Sequence, residues 1–263
     1  MTRSPRIHPQ AVCEAAEVGM GTSVEAFALV AADCVLGDDC TVGGGAQILT
    51  GARLGKGSVV GENAVVQPGI VVARGSVVEA GSVVADPVPP NAIVRGNPAR
   101  IIGYVGGDAG LQAMPRVEHV ARLGDQPTRI RNASVHRLTR ADDLRGSLMA
   151  ADFASLPFAP TRIFTVSDVP SEHIRGSHAH RECAQLLVCV RGSLNVVLDD
   201  GVTREEFVLE DSEFGLHVPP MSWSTQYKYS LDATLLVLAS HPYDPADYIR
   251  DYDEFLRLVE ESS

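Results

Sequence analysis

Two histidines one residue apart, His178 and His180, are the residues of this sequence best suited to chemistry. They lie in the stretch RGSHAHRECAQ, residues 175–185, which leads directly into the apolar run LLVCV. An imidazole ring can ligate a metal, exchange a proton near neutral pH, or simply pack in a core. On a strand both rings point to the same face, because side chains alternate. The spacing therefore predicts a histidine pair on one surface of a sheet.

The surrounding sequence predicts the strands that hold this pair. From residue 128 onward, short apolar or alternating runs are separated by turn signals such as RGS, DDG and PP. Regularly spaced short strands of this kind favour an antiparallel barrel or sandwich. The final stretch, DPADYIRDYDEFLRLVEES, starts with Asp and Pro and has apolar residues at helical spacing, so it predicts a terminal helix.

A strand-borne HxH in a jelly roll resembles the first motif of the cupins. Metal-binding cupins add a glutamate downstream and a further histidine from a second motif. Gln185 stands at the glutamate position, Trp223 stands where the last histidine would come, and His217 precedes the prolines instead of following them. Two imidazoles and a glutamine are a poor ligand set for a metal. A metal-free acid/base site is therefore preferred, and a metal-dependent cupin enzyme is the alternative.

Simple packing of the two rings is the other alternative to chemistry. Arg162, Arg175 and Gln185 on flanking strands, together with the two histidines, predict a polar lumen in the barrel. Burying that many polar groups without a ligand would be costly. The pattern therefore favours a binding site over a packed core.

The first hundred residues form one internal repeat with a period of six. Thirteen aliphatic residues recur at this step: Val12, Val18, Val24, Val30, Leu36, Val42, Ile48, Leu54, Val60, Val66, Val72, Val78 and Val84. A small side chain mostly precedes them by two positions, and the next residue is often glycine, as at Gly19 and Gly61. This period fits a prism in which each hexapeptide forms one flat face and one corner. We expect the aliphatics to fill the interior and the glycines to permit the turns.

This repeat resembles the hexapeptide-repeat, left-handed parallel β-helix of the acyltransferases. The segment VPPNAIVRGNPARIIGYV, residues 88–105, looks like the end of the sugar N-acetyltransferases of that family, where the last coils help to hold coenzyme A. The predicted fold class is therefore all-β. A β-helix over residues 1–105 is followed by a linker, 106–127, and a cupin or jelly-roll barrel with a short C-terminal helix, 128–263.

Whether the β-helix is catalytic is left open by the sequence. The resemblance implies either that Arg95, Asn97 and Arg100 bind the phosphates of acetyl-CoA, or that they cap the last coil, since solenoid ends must be covered. Sugar N-acetyltransferases carry a polar catalytic group on a loop that interrupts the coils, whereas this register is unbroken and contains no histidine. Asn63 is predicted to be a turn residue. The unit is thus either an N-acetyltransferase or a scaffold.

Composition excludes several classes of function. The 263 residues carry a net charge of -11, and their acidic residues are evenly scattered, which argues against a nucleic-acid platform. No apolar run approaches the length of a membrane span, and no signal peptide is apparent, so a soluble cytoplasmic protein is expected. The five cysteines form no CxxC motif and are predicted to be reduced. His119, in the linker, is predicted to be a solvated bystander.

The second half resembles a specific family, the WxcM-like cupin sugar 3,4-ketoisomerases acting on dTDP-4-keto-6-deoxyglucose. The resemblance rests on residues 142–201, which contain RGSHAH, and on LLVLASHPYDPADYIRDYDEFL, residues 235–256. Some members of this family are fusions in which a hexapeptide N-acetyltransferase comes first. The resemblance implies a shift of the keto group from carbon 4 to carbon 3 of a hexose, without a cofactor.

The resemblance also implies roles for individual residues. His178 matches the proposed base that takes the proton from carbon 3, and His180 is assigned to orienting it or relaying protons. Arg162 and Arg175 are candidates for the diphosphate or the sugar carbonyl, because guanidinium groups form paired hydrogen bonds with phosphate. Arg145 matches a position that differs between gluco and galacto products.

The roles of two further positions and the oligomeric state are less determined by the sequence. Trp223 is a candidate for ligand contact or for closing the barrel mouth, and Ser224 lies at another variable position. A homo-oligomer is expected, because such β-helices trimerise and such cupins pair, which makes a hexamer possible by symmetry. A binding module that holds a nucleotide sugar without reacting it is the non-enzymatic alternative.

Overall fold

The computed structural model describes residues 4–106, 126–144, 146–170, 173–210 and 213–262. They belong to two compact units, which divide between Val105 and Gly106. His119 and Arg145, both singled out in the sequence, lie outside the described residues. No helix in the described ranges has the length and apolar character of a membrane span. All five cysteines are free thiols.

The first unit is a three-faced parallel β-helix of about five turns. It consists of two-residue strands: Arg6–Ile7 (β1), Val12–Cys13 (β2), Glu17–Val18 (β3), Ser23–Val24 (β4), Leu29–Val30 (β5), Val35–Leu36 (β6), Thr41–Val42 (β7), Gln47–Ile48 (β8), Arg53–Leu54 (β9), Val59–Val60 (β10), Val65–Val66 (β11), Val71–Val72 (β12), Val77–Val78 (β13) and Val83–Val84 (β14). Every third strand joins the same sheet. A hairpin of Ala92–Gly96 (β15) and Ala99–Tyr104 (β16) follows, in which β15 pairs with β13.

The repeat aliphatics beyond the first coil fill the interior, as predicted, and Val18 in the first coil is half-buried. From Val24 to Val84 each of them is at most 2% exposed. The prediction is wrong for Val12, which is 52% exposed. In β2, Cys13 pairs with the buried Val30. These two residues are one position closer together in the sequence than later strand partners such as Val18 and Leu36. The first coil is therefore one residue shorter, which turns Val12 outward.

The glycines that follow the aliphatics serve a different purpose from the one predicted. The positive φ angles of the corners occur two residues later, at positions such as Gly57 and Asn63, which confirms Asn63 as a turn residue. The glycines directly after the aliphatics are needed for space. A Cβ atom there would lie 2.3–2.8 Å from the backbone of the next coil, at Gly19, Gly37, Gly43, Gly55 and Gly61.

We expect Gly61→Ala to destabilise the β-helix by about 3 kcal/mol, because overpacking against backbone cannot relax as a side chain can. The added Cβ would lie 2.6 Å from the amide nitrogen of Ala80. Gly57→Ala is the matched control, with a φ of 69° and nothing within 4 Å of its added Cβ, and it should cost about 1 kcal/mol. Thermal unfolding followed by circular dichroism compares the two. Equal losses would contradict the role assigned to Gly61.

The second unit is a two-sheet antiparallel barrel, as predicted. Its strands are Gln126–Pro127 (β17), Ser134–Arg137 (β18), Thr139–Asp143 (β19), Gly146–Ala150 (β20), Arg162–Ser167 (β21), Arg175–His180 (β22), Gln185–Arg191 (β23), Leu194–Asp199 (β24), Arg204–Leu209 (β25), Phe214–Val218 (β26), Trp223–Tyr227 (β27), Thr234–Ala239 (β28) and Tyr248–Ile249 (β29). One sheet has the order β17-β18-β26-β23-β28-β21, and the other has the order β25-β24-β27-β22-β29. Strands β19 and β20 form a separate hairpin.

An apolar core fills the space between these two sheets. Leu187 and Cys189 from β23 meet Val196 and Leu198 from β24, all at most 1% exposed. Because side chains alternate along a strand, Gln185 shares the inward face of β23 with Leu187 and Cys189. The barrel interior therefore continues from an apolar part into a polar part at Gln185.

The predicted terminal helix is shorter than expected. The helix α1 spans Tyr252–Glu261, and the side chain of Asp251 caps it by accepting a hydrogen bond from the amide of Glu254. The preceding residues form a 3-10 turn, Pro245–Asp247, and then strand β29. The Asp and Pro that suggested a helix start therefore begin the 3-10 turn. A second 3-10 turn, Phe153–Ser155, follows β20.

Candidate active site

A bulge in β22 precedes the two histidines. Gly176 and Ser177 have φ angles of 74° and 52°, and the pairing of β22 with β27 shifts register between Gly176 and His178. A bulge of this kind re-aims the residues that follow it. Beyond it His178 lies opposite Ser224, while His180 pairs with Tyr248 of β29. The rings of His178 and His180 lie 5.0 Å apart, edge to face, as the shared face predicts.

Both ring nitrogens of His180 are engaged. Nδ1 lies 2.6 Å from Oδ2 of Asp247, and Nε2 lies 3.1 Å from the amide nitrogen of Gln185. An ionised carboxylate only accepts hydrogen bonds, so Nδ1 carries the proton and donates it. Nε2 is then the acceptor, and the amide of Gln185 donates to it. The lone pair of His180 is therefore on Nε2.

Asp247 is held in place as an ionised carboxylate. Burial alone would raise its pKa, but the amide of Glu182 donates to Oδ1 at 2.7 Å and His180 bonds Oδ2, so the pKa is lowered overall. Burial lowers the pKa of His180 and outweighs the opposing effect of Asp247. The positive charges of Arg162 and Arg250 add to this lowering. At neutral pH the pair is thus a neutral imidazole hydrogen-bonded to a carboxylate.

His178 lies in a more apolar position. Burial lowers its pKa to about 4, and the backbone of Gly176 opposes the shift only in part. Its Nδ1 atom is buried and has no hydrogen-bond partner in the part of the chain that the structure describes. The ring of Tyr248 lies 4.8 Å from His178 and 4.4 Å from His180. His178 is therefore a neutral ring with one unused polar atom next to the His180–Asp247 pair.

We expect the free energy of unfolding to fall by about 3 kcal/mol through His178 alone as pH drops from 6.5 to 4. The pKa of His178 is lower in the folded chain than in the unfolded chain. Its full contribution to the free energy of unfolding is therefore present above pH 6.5. The contribution is lost as the pH falls, because the unfolded chain takes up the proton first. Urea unfolding at several pH values measures this loss. The His178→Asn variant should show a flatter profile, and an unchanged slope would contradict the burial of a neutral His178.

Two arginines and three aromatic rings lie beside the histidines. The guanidinium carbon of Arg162 lies 4.5 Å from the ring centre of Phe164 and 5.2 Å from that of Tyr243. The guanidinium carbon of Arg250 lies 4.5 Å from the ring centre of Tyr248. Neither arginine has a carboxylate partner within the described ranges. Positive charges that rest on aromatic faces and lack acidic partners can accept an anionic ligand.

Several predicted site residues are not brought to the histidines. Trp223 lies on the opposite face, in a cluster with Ala179, and its ring packs 5.1 Å from Tyr252 and 5.7 Å from Phe255. Trp223 therefore packs α1 against the sheet, and neither its ligand contact nor its closing of the barrel mouth is tested by this packing. Arg175 is exposed at the start of β22 and, among the described residues, contacts neither histidine. Gln185 and Arg162 do lie at the site.

The three residues proposed for acetyl-CoA lie on or within the β15–β16 hairpin of the first unit. Arg95 pairs with Glu79, with 2.8 Å between Nη2 and Oε1, and Arg100 lies 3.5 Å from Asp86. Asn97 is exposed at the tip of the hairpin. The ion pairs tie the hairpin to the coils, as expected for a cap.

Sequence reasoning missed Asp247, Tyr248 and Arg250. All three lie in PADYIRDY, which helical spacing assigned to the terminal helix. The signal that could have found them is the alternation of Tyr248, Ile249 and Arg250, since Ile249 is fully buried on the side of Ala179. A polar, apolar, polar triplet predicts a short strand. Its pairing with β22 then brings Asp247 to His180.

The fold and site define the second unit as a cupin-like barrel with an acid/base constellation in its lumen. The family model described as "FdtA: WxcM-like, C-terminal" matches residues 131–260. A TDP-4-oxo-6-deoxy-alpha-D-glucose-3,4-oxoisomerase from Aneurinibacillus thermoaerophilus is 42% identical over 118 residues, which are 44% of this chain and 85% of that protein. The chain therefore belongs to the WxcM-like family, through its second unit.

Solved structures similar to this chain include two 3,4-ketoisomerases. The 3,4-ketoisomerase QdtA from Thermoanaerobacterium thermosaccharolyticum, a double mutant in complex with TDP, is 29% identical with a TM-score of 0.50, covering 51% of this chain and 97% of that one. A 3,4-ketoisomerase from Helicobacter canadensis is 38% identical with a TM-score of 0.48, covering 49% of this chain and 98% of that one. These relatives are named 3,4-oxoisomerase or 3,4-ketoisomerase, and the first is named for a TDP-sugar.

Proposed function

We propose that the second unit converts dTDP-4-keto-6-deoxyglucose into a dTDP-3-keto-6-deoxyhexose. The observation that carries this proposal is the His180–Asp247 pair beside a neutral His178, in a chain with a relative named as a TDP-4-oxo-6-deoxyglucose 3,4-oxoisomerase. A base removes the proton on carbon 3 and oxygen 4 takes up a proton, which gives an enediol across carbons 3 and 4. A proton returns at carbon 4, the hydroxyl proton leaves oxygen 3, and the carbonyl is then on carbon 3.

We assign the base to His180, although the resemblance implied His178. A general base must hold a proton in the transition state, and its ideal pKa lies near the working pH. Asp247 can stabilise an imidazolium at His180, and the lone pair of His180 lies on Nε2. His178 has a pKa of about 4 and, among the described residues, no carboxylate partner, so it is poorly suited to accept a proton. Gln185, which bonds Nε2 here, moves aside or bonds the sugar when the substrate approaches this nitrogen.

His178 is assigned to the developing enediolate. A neutral imidazole is a hydrogen-bond donor that does not transfer its proton early, and burial keeps His178 neutral at physiological pH. Its ring lies at the shared face of β22, within 5.0 Å of His180. A donor at this position would stabilise negative charge on oxygen 4 while His180 works on carbon 3.

Arg162 and Arg250 are assigned to the diphosphate, and their aromatic neighbours to the rest of the nucleotide. Both arginines lack acidic partners within the described ranges, and guanidinium groups bind phosphate oxygens in pairs. Tyr243 is 58% exposed and lies 5.8 Å from Tyr248, which leaves a ring face open beside Arg162. Nucleobases stack on such faces. Arg145, outside the described residues, stays a candidate for sugar contact.

Proton NMR of the pure protein with dTDP-4-keto-6-deoxyglucose in heavy water tests the proposal. The expected result is a 3-keto product that carries deuterium at carbon 4. A module that only binds nucleotide sugar would give neither exchange nor product, and that outcome would overturn the assignment. Metal analysis of the same sample addresses the metal-dependent alternative, because an active protein without stoichiometric metal excludes it.

For the β-helix we propose a scaffold role that organises copies of the barrel in a homo-oligomer. Arg95 and Arg100 are occupied by ion pairs with the coils, and Asn63 serves a turn, which supports capping over acetyl-CoA binding. Thiol release from acetyl-CoA with a 3-amino sugar nucleotide tests this role. Turnover at rates typical of enzymes, on the order of 1–10³ per second, would establish an N-acetyltransferase instead.

A further inference from the structure

Three potential metal ligands meet behind His180. A ring nitrogen of His180, the sulfur of Cys183 and a carboxylate oxygen of Asp247 all lie within 4.8 Å of one another. His180 is 8% exposed and Cys183 is 5% exposed, so the group is shielded from solvent. Asp247 bonds the ring at Nδ1, whereas Gln185 lies on the Nε2 side. The group is therefore distinct from the HxH arrangement that metal-dependent cupins use.

We propose that His180, Cys183 and Asp247 bind one thiophilic divalent cation, of which Zn²⁺ is the natural example, and that this cation inhibits the isomerase. The inhibition rests on the proposed function, whereas the binding does not. A thiolate, an imidazole and a carboxylate are ligands that Zn²⁺ accepts, and water can complete a tetrahedral site. Mg²⁺ and Ca²⁺ prefer oxygen ligands and should bind poorly.

The structure already holds these ligands nearly in place. Zn²⁺ needs bonds of about 2.0–2.3 Å, so its ligand atoms must be within about 4 Å of one another. The separation of 2.6 Å between His180 and Asp247 must open slightly, and Cys183 must approach. The amide of Glu182 fixes Asp247 through Oδ1, which leaves Oδ2 to turn from His180 to the metal. Cys183 is the next residue along the chain, which keeps the thiol close.

Metal binding would place the proton of His180 on the wrong nitrogen. The thiol of Cys183 loses its proton to solvent, and Nδ1 gives up its proton to bind the metal. A neutral imidazole ligated through Nδ1 carries its proton on Nε2. Nε2 then has no lone pair for the proton of carbon 3. One proton is released per metal, and the base is blocked without any contact between metal and substrate.

The experiment uses the full chain after treatment with a chelator, titrated with Co²⁺ as a spectroscopic probe and with Zn²⁺ as the inhibitor. The expected result is a thiolate-to-cobalt absorption band that saturates at one metal per chain, with Zn²⁺ abolishing isomerisation over the same range and Mg²⁺ having no effect. Cys183→Ser should weaken both effects at least a hundredfold, more than loss of a supporting contact does. Its activity without metal should be unchanged.

Cys13→Ser is the matched control, because Cys13 lies in the β-helix and should leave metal binding as in the wild type. Cys183→Ala repeats the test if the serine variant does not fold. Absence of the thiolate band, or equal metal affinity in wild type and Cys183→Ser, would overturn the proposed site. A clear band in a protein that isomerises nothing would support the metal site and refute only the proposed function.

Discussion

Replacing His180 with Asn is expected to lower kcat for ketoisomerisation by about a thousandfold, within the range of about 10²–10⁴ typical of a lost general base. The amide keeps a polar group at the position but cannot accept the proton of carbon 3. The KM should change little, because we assign the phosphates and base of the nucleotide to other residues. Deuterium exchange in heavy water measures the loss directly, since exchange reports proton removal even when product formation is slow.

Two companion variants define the roles within the pair. Asp247→Asn should lower kcat by about a hundredfold or more, because the amide can present N–H to Nδ1 and move the lone pair of His180 away from Nε2. The acidic limb of the pH profile of kcat should move to lower pH, because loss of the carboxylate lowers the pKa of His180. A merely structural role would leave this limb in place. His178→Asn should retain residual exchange. Complete loss in His178→Asn with retention in His180→Asn would reverse the two assignments.

Replacing both Arg162 and Arg250 with Met is expected to raise KM by about a thousandfold with a smaller change in kcat. A hydrogen bond to a charged group contributes about 1.5–3 kcal/mol, and each 1.4 kcal/mol is a factor of ten. Methionine keeps an unbranched apolar stem against Phe164, Tyr243 and Tyr248. Loss of packing is therefore small compared with loss of charge.

Arg175→Met is the matched control for the arginine pair. Arg175 looks equivalent in the sequence, but it is exposed at the start of β22 and, in the ranges the structure covers, does not reach the histidines. Its KM should stay within a few-fold of the wild type. Binding of TDP alone, measured by calorimetry, should weaken in the double variant and not in Arg175→Met. The opposite order would place the diphosphate at Arg175.

The first unit could be predicted almost completely from the sequence, because its residues contact residues one coil away, at a fixed spacing in the sequence. Each aliphatic repeats at a step of six and packs on its neighbours one coil away, so the pattern by itself gives the sheets and the interior. Only the register of the first coil escaped, where Cys13 replaces Val12 as the inward residue. A single missing residue changes which of two adjacent apolar side chains faces inward.

In the second unit the sequence determined that His178 and His180 share a face, since alternation along a strand is a local property. The tertiary structure decided their partners. Asp247, 67 residues from His180 in the chain, reaches it because β29 pairs with β22. Trp223 faces α1 because β27 presents that side to the helix. Local spacing fixes the direction of a side chain along its own strand, but pairing over long sequence separations fixes what that side chain meets.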